Sequence, residues 1–108
     1  MQAFYKRIVY SCAVLITLNS FAQEANLLIG TYTQKGSKGI YVYHFDTATG
    51  KAIELSHTNN ISNPSFLSIS KDHQTVYAVN EDIEGGVSSL SFKNNNLKLL
   101  QQDRKSVV

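Results

Sequence analysis

The side chains best suited to chemistry in this sequence stand where apolar stretches run into glycine-rich loops. Glu81 follows "VYAVN" and opens "EDIEGG". A carboxylate there can act as a base or as a ligand for a polar substrate. It can equally be a solvated loop acid, or the partner of an arginine on a neighbouring element. Asn80 carries an amide that can orient a substrate or cap the loop by bonding backbone, as asparagine commonly does. Asn63 and Ser65 flank Pro64 and offer hydrogen-bond donors, or form no more than the entry turn of a strand. Tyr32 opens a polar loop that runs to Lys38 and adds an aromatic hydroxyl to the same set.

Other groupings are weaker. "TQKGSKG", residues 33–39, has two glycines and two lysines and could meet a phosphate. It lacks the G-x-x-x-x-G-K-[ST] order of a phosphate-binding loop, so a solvated hairpin loop is the simpler reading. Glu81, Asp82 and Glu84 could hold a hard cation or form a plain acidic loop. No metal site and no cofactor is expected. His44, His57 and His73 are not spaced with one another for zinc, and none is expected among the loops named above. "NIS" at Asn60 fits a glycosylation sequon, as many chance triplets do.

The elements that must position these residues repeat. "LLIGTYTQKGSKGIYVYHFDTATGKAIEL", residues 27–55, and "VYAVNEDIEGGVSSLSFKNNNLKLL", residues 76–100, each read as strand, Gly-containing loop, strand, polar turn, strand. Gly39 and Gly86, Ile40 and Val87, and Phe45 and Phe92 are all 47 residues apart. A period of this length built from short strands is that of a β-propeller blade, four antiparallel strands each. The second copy supplies all four: A at 65–70, B at 75–81, C at 87–93 and D at 97–101. The first copy has B, C and D without an A strand. "GIYVYHF" is apolar or aromatic on both faces, which suits a sheet packed between two neighbours and not one with a wet side. A small β-sandwich or open meander of about seven strands is the rival, but it has no use for the period.

The first residues differ from the rest. Lys6 and Arg7 precede the uncharged, mostly apolar run "IVYSCAVLITL", and Ser20 and Ala22 are small residues placed for cleavage. That is the layout of a secretory signal peptide. The run of 11 residues falls short of a spanning helix. Residues 1–22 are therefore expected to be a signal peptide, and the product an exported protein, periplasmic or extracellular, with no stable membrane anchor after cleavage. The remainder carries eight basic and eight acidic residues, so nothing is left of a nucleic-acid-binding charge. Cys12 leaves with the signal, so no disulfide is available to the fold.

The motifs Gly30-Thr31-Tyr32-Thr33, Lys38-Gly39-Ile40-Tyr41, Asn63-Pro64-Ser65-Phe66-Leu67, Tyr77-Ala78-Val79-Asn80-Glu81 and Gly86-Val87-Ser88, in this order and spacing, resemble the start of lactonase-type seven-bladed propellers. These are the 6-phosphogluconolactonase-like proteins, with muconate-lactonizing enzymes as relatives. One departure is the A–B turn, Asp72-His73 where the family pattern is closer to Asp-Gly. The resemblance implies an all-β partial propeller, about two blades of seven, at 23–108. It implies a whole chain of roughly 330 residues that hydrolyses a sugar lactone to its acid. Glu81 would then be a catalytic candidate, and Asn80, Asn63, Ser65 and Tyr32 substrate-binding candidates at the channel mouth. The partner would be a small-molecule lactone or sugar acid, and no cofactor is implied. Two other functions stay open: a non-catalytic exported propeller that binds a ligand or protein, and a muconate-type lactonizing enzyme. Two blades alone would leave their outer faces in water. The loss is on the order of 10 kcal/mol, close to the ~5–15 kcal/mol that holds a domain together. Residues 23–108 in isolation are expected to unfold, aggregate or self-associate.

Overall fold

The computed structural model describes residues 23–104. The expected signal peptide lies outside the described residues. Seven strands follow one another with no helix among the described residues: β1 (Glu24–Ile29), β2 (Tyr41–Asp46), β3 (Ala52–His57), β4 (Pro64–Ile69), β5 (Thr75–Asn80), β6 (Gly86–Lys93) and β7 (Asn96–Arg104). They form two antiparallel meanders, β1-β2-β3 and β4-β5-β6-β7. The three-stranded sheet is the copy expected to lack its A strand, and β1 stands at its edge.

Turn chemistry sets the register. Asn94 and Asn95 adopt φ of 51° and 62° and close the β6–β7 hairpin with a two-residue loop, Lys93 pairing with Asn96. Asparagine tolerates this left-handed region better than most residues. His73 takes φ of 59° in the β4–β5 turn, the place where glycine fits most easily. The turn is secured by Asp72, whose carboxylate accepts the Ser70 hydroxyl at 2.6 Å and the Gln74 N–H at 3.0 Å. These bonds hold Asp72 below the ordinary aspartate range, the Ser70 hydroxyl contributing most.

The sheets stack face to face. Ile40, Ile61, Ala78 and Leu90 are buried together, with Leu28, Leu67 and Leu97 packed against them. Val42 and Val76 are also fully buried. Gly30 lies so close to the second sheet that a Cβ would meet the Pro64 carbonyl oxygen at 2.3 Å. At the outer strands the Ser56 hydroxyl donates to the Asn95 carbonyl at 2.6 Å. The seam therefore runs from the inner strands to the outer ones, as between adjacent propeller blades. The opposite faces are open: Leu27 and Ile29 on the first sheet, Phe66, Tyr77, Val79 and Val87 on the second, are 39–67% exposed.

Strand ends differ slightly from the sequence reading. β4 starts one residue early because Pro64 is accepted as the first residue of an edge strand. β5 stops at Asn80, which leaves Glu81 as the first loop residue. β7 runs past Gln101 and keeps pairing with β6 down to Gly86. The sequence reading ended this strand at Gln101; the polar residues beyond it extend the strand because the outermost strand of a blade needs no apolar face there.

Candidate functional site

Three connections meet at one end of the two sheets: residues 30–40 between β1 and β2, 58–63 between β3 and β4, and 81–85 between β5 and β6. Asn63 fastens them. It has φ of 42° and is 2% exposed. Its carbonyl accepts the N–H groups of Ser65 and Glu81 at 2.8 and 3.0 Å. Its side-chain oxygen accepts the Thr33 N–H at 2.8 Å and the Thr33 hydroxyl at 3.2 Å, and its amide donates to the Glu81 carbonyl at 3.1 Å. One asparagine thus ties together loops from both sheets. Asn80, also 2% exposed, donates to the Ser62 carbonyl at 2.8 Å and accepts the Ser88 hydroxyl at 2.6 Å. The structure places both amides inside the framework, where they hold the loops.

Glu81 is exposed and stands on that framework. Ser65 Oγ donates to its Oε1 at 2.6 Å and the Tyr32 hydroxyl donates to its Oε2 at 2.8 Å. Tyr32 comes from the first sheet's loop, and Ser65 and Glu81 from the second sheet. Ser65, then Tyr32, hold Glu81 below the ordinary carboxylate range, against a smaller opposing effect of desolvation. The same bond to Glu81 raises Tyr32 above the ordinary phenol range. Among the described residues no Lys, Arg or His lies within ion-pair reach of Glu81. Each carboxylate oxygen has accepted one hydrogen bond and can accept another. A group held ionised in this way is a weak base at neutral pH and a strong acceptor for a hydroxyl or a water.

The remaining candidates fall elsewhere. The 33–39 loop is closed on itself: Thr31 Oγ1 bonds Ser37 Oγ and donates to the Gly39 carbonyl, and the Lys38 N–H donates to the Tyr41 hydroxyl. Asp82 closes its own turn by accepting the Gly85 N–H at 2.8 Å. Among the described residues no group of acids, histidines or cysteines is arranged to hold a metal. His44 lies mid-strand, 3.6 Å from Glu24. His57 does end β3 at the loop end, but on the outermost strand, beside the Tyr41 ring and 3.7 Å from Glu54. Thr33 and Ser88 stand in motifs quoted from the sequence, but neither was given a role there. Ser88 left a signal, a hydroxyl on the buried face of a strand where Leu90 follows two residues on. Thr33 left none.

Two stacked antiparallel meanders, of three and four strands among the described residues and with the loops gathered at one end, are successive blades of a β-propeller. The family model "Lactonase, 7-bladed beta-propeller" matches residues 26–107, and the chain belongs to that family. The 6-phosphogluconolactonase of Bacillus subtilis is 31% identical over 72 residues, which make up 66% of this chain and 21% of that protein. The solved periplasmic gluconolactonase of Pseudomonas aeruginosa superposes with a TM-score of 0.68 at 36% identity, over 74% of this chain and 24% of that one. A Bacteroides uniformis structure, provisionally a 6-phosphogluconolactonase, does so with a TM-score of 0.68 at 44% identity, over 73% and 24%. The chain thus spans between a fifth and a quarter of the length of these relatives.

Proposed function

We propose that this chain forms the first two blades of an exported lactone hydrolase that opens a sugar lactone to its acid, residues 1–22 serving as its signal peptide. The observation that carries this reading is the Glu81 carboxylate, exposed among the loops and fixed by donors from both blades. Glu81 accepts a substrate hydroxyl or the attacking water and fixes its position. Ser65 and Tyr32 keep Glu81 ionised and oriented. Asn63 and Asn80 are positioning residues that set the loop from which Glu81 projects. The proton transfers and the stabilisation of the oxyanion belong to blades beyond these two. Export is supported by the charge and apolar pattern of the first 22 residues and by one relative described as periplasmic.

The test is hydrolysis of sugar lactones by the complete protein, measured above the uncatalysed rate. Glu81→Gln is expected to lower kcat/KM about 10- to 100-fold, the worth of a hydrogen bond to a charged group. No rate above background on any sugar lactone removes the hydrolase reading and leaves a binding propeller. An unchanged Glu81→Gln removes only the role of that residue.

A further inference from the structure

Two adjacent residues of the β1–β2 connection reach across to the second sheet. The Tyr32 hydroxyl donates to Glu81 Oε2 at 2.8 Å. Thr33 is bonded to Asn63 through both its backbone and its side chain. Its N–H donates to Asn63 Oδ1 at 2.8 Å; its hydroxyl donates to the same oxygen at 3.2 Å and accepts the Asn63 N–H at 3.2 Å. Asn63 and Glu81 stand side by side at the open end of the β4–β5 hairpin, just beyond the pair Pro64 and Asn80. The Glu81 N–H donates to the Asn63 carbonyl, and the Asn63 amide donates to the Glu81 carbonyl. Tyr32, Glu81, Asn63 and Thr33 thus form a closed circuit whose last link is a peptide bond.

The circuit decides what holds Tyr32. Its side chain is 56% exposed, so packing does not fix the aromatic ring. Its backbone stands between two fixed points: Gly30, too close to the Pro64 carbonyl oxygen to admit a Cβ, and Thr33, hooked on Asn63. Thr33 is β-branched, which restricts χ1 and keeps its hydroxyl aimed. A side chain with little packing takes its direction from the backbone that carries it. Order established in advance also spares its cost when a ligand arrives.

We infer that Thr33 is a positioning residue. Its bonds to Asn63 fix the backbone from which Tyr32 delivers its hydroxyl to Glu81, and so set the direction of the acceptor sites left free on that carboxylate. The inference rests on the lactone-hydrolase reading and concerns how the Glu81 carboxylate is aimed.

The experiment uses the complete protein with δ-gluconolactone as the probe substrate. Thr33→Val removes the hydroxyl and keeps the shape; it is expected to lower kcat/KM about 3- to 10-fold, the range of a neutral hydrogen bond. Tyr32→Phe should lose at least as much. The double variant should lose no more than Tyr32→Phe alone, because both substitutions act through one hydroxyl. Thr33→Ser, which keeps the hydroxyl, should recover most of the loss. A second readout needs no turnover. The bond to Glu81 holds the Tyr32 phenol above its ordinary range, against a smaller opposing effect of Ser65. Its titration, followed by NMR of the tyrosine ζ-carbons and assigned with Tyr32→Phe, should drop toward the ordinary range in Thr33→Val and stay high in Thr33→Ser. Additive losses overturn the inference, since Thr33 would then act independently of Tyr32. So does a Tyr32 titration or a kcat/KM that Thr33→Val leaves unchanged. Each of these results leaves the hydrolase reading intact. No turnover of any sugar lactone by the unmodified protein overturns the hydrolase reading, and the titration alone then decides whether Thr33 holds Tyr32 on Glu81.

Discussion

Ile40 and Val87 occupy the same place in successive copies, 47 residues apart, each following a positive-φ glycine, with φ of 134° at Gly39 and 154° at Gly86. Ile40 is 0% exposed and Val87 is 47% exposed. Sequence does not explain the difference, since both are β-branched and apolar. What differs is the neighbour. Ile40 faces the second sheet and packs with Ile61, Ala78 and Leu90. Val87 points the opposite way from Leu90, onto the open face with Tyr77 and Val79. β5 shows the same contrast within six residues: Val76 and Ala78 are fully buried, while Tyr77 and Val79 between them are 46% and 39% exposed. A blade is apolar on both faces because it is built for two neighbours, and here each blade has one.

The largest effect expected from this concerns the two blades alone. Residues 23–108 produced without further blades should associate or lack a cooperative melt, because burial worth on the order of 10 kcal/mol is missing. Size-exclusion chromatography with a thermal scan checks it, and a sharp, reversible transition of a monomer would break the comparison.

In the complete protein, chemical denaturation should show Leu90→Ala costing about 2–5 kcal/mol, as for a filled core site. Val87→Ala should cost about 1–3 kcal/mol once a third blade covers it; a change within about 0.5 kcal/mol is what a surface position gives and would place Val87 in water.

Close approach between the β1–β2 loop and the 58–63 connection supplies the next step down. At Gly39 a Cβ would sit 2.3 Å from Thr58 Oγ1 and 2.7 Å from Ile61, so Gly39→Ala should cost about 2–4 kcal/mol. Gly36 also has positive φ but has open space around it, and Gly36→Ala should cost about 1–2 kcal/mol from the backbone alone. Equal losses at the two glycines would mean that Gly39 is not held against the 58–63 connection as described. Removing the outer tie with Ser56→Ala should cost about 0.5–1.5 kcal/mol.

The smallest effect is on pH. Glu81 has its folded pKa lowered, so its contribution to stability is fully present above the unfolded value and fades as pH falls through the folded one. Denaturation midpoints should therefore decline more steeply below the ordinary glutamate range in the wild type than in Glu81→Gln. Parallel curves would mean that the bonds from Ser65 and Tyr32 do not persist in solution.

Much of this was legible in the residues. The period located both blades, and "NNN" and the glycines located the turns, because backbone with φ > 0 is written in residue type. The gathering of Glu81, Ser65 and Tyr32 at one end of the sheets followed from the strand order. The division of labour within it did not. Asn63 and Asn80 carry the same side chain as many exposed loop residues, and only the meeting of the 58–63 connection with the ends of β5 and β6 gives them buried partners. The role of Thr33 was hidden for the same reason: it matters through its contact with Asn63, 30 residues away. Pattern gives the face of a strand, whereas a long-range hydrogen bond depends on how two elements meet.

Thiol labelling of single cysteines in the complete protein tests the radial stacking most directly. Cys12 departs with the proposed signal peptide, so no other thiol from this chain interferes. Val76→Cys, on the described seam, and Val79→Cys, on the face open here, should both react slowly, while Ile83→Cys on the exposed loop reacts fast. A Val79→Cys that labels as fast as Ile83→Cys would show that no blade covers that face, and the propeller account would be wrong.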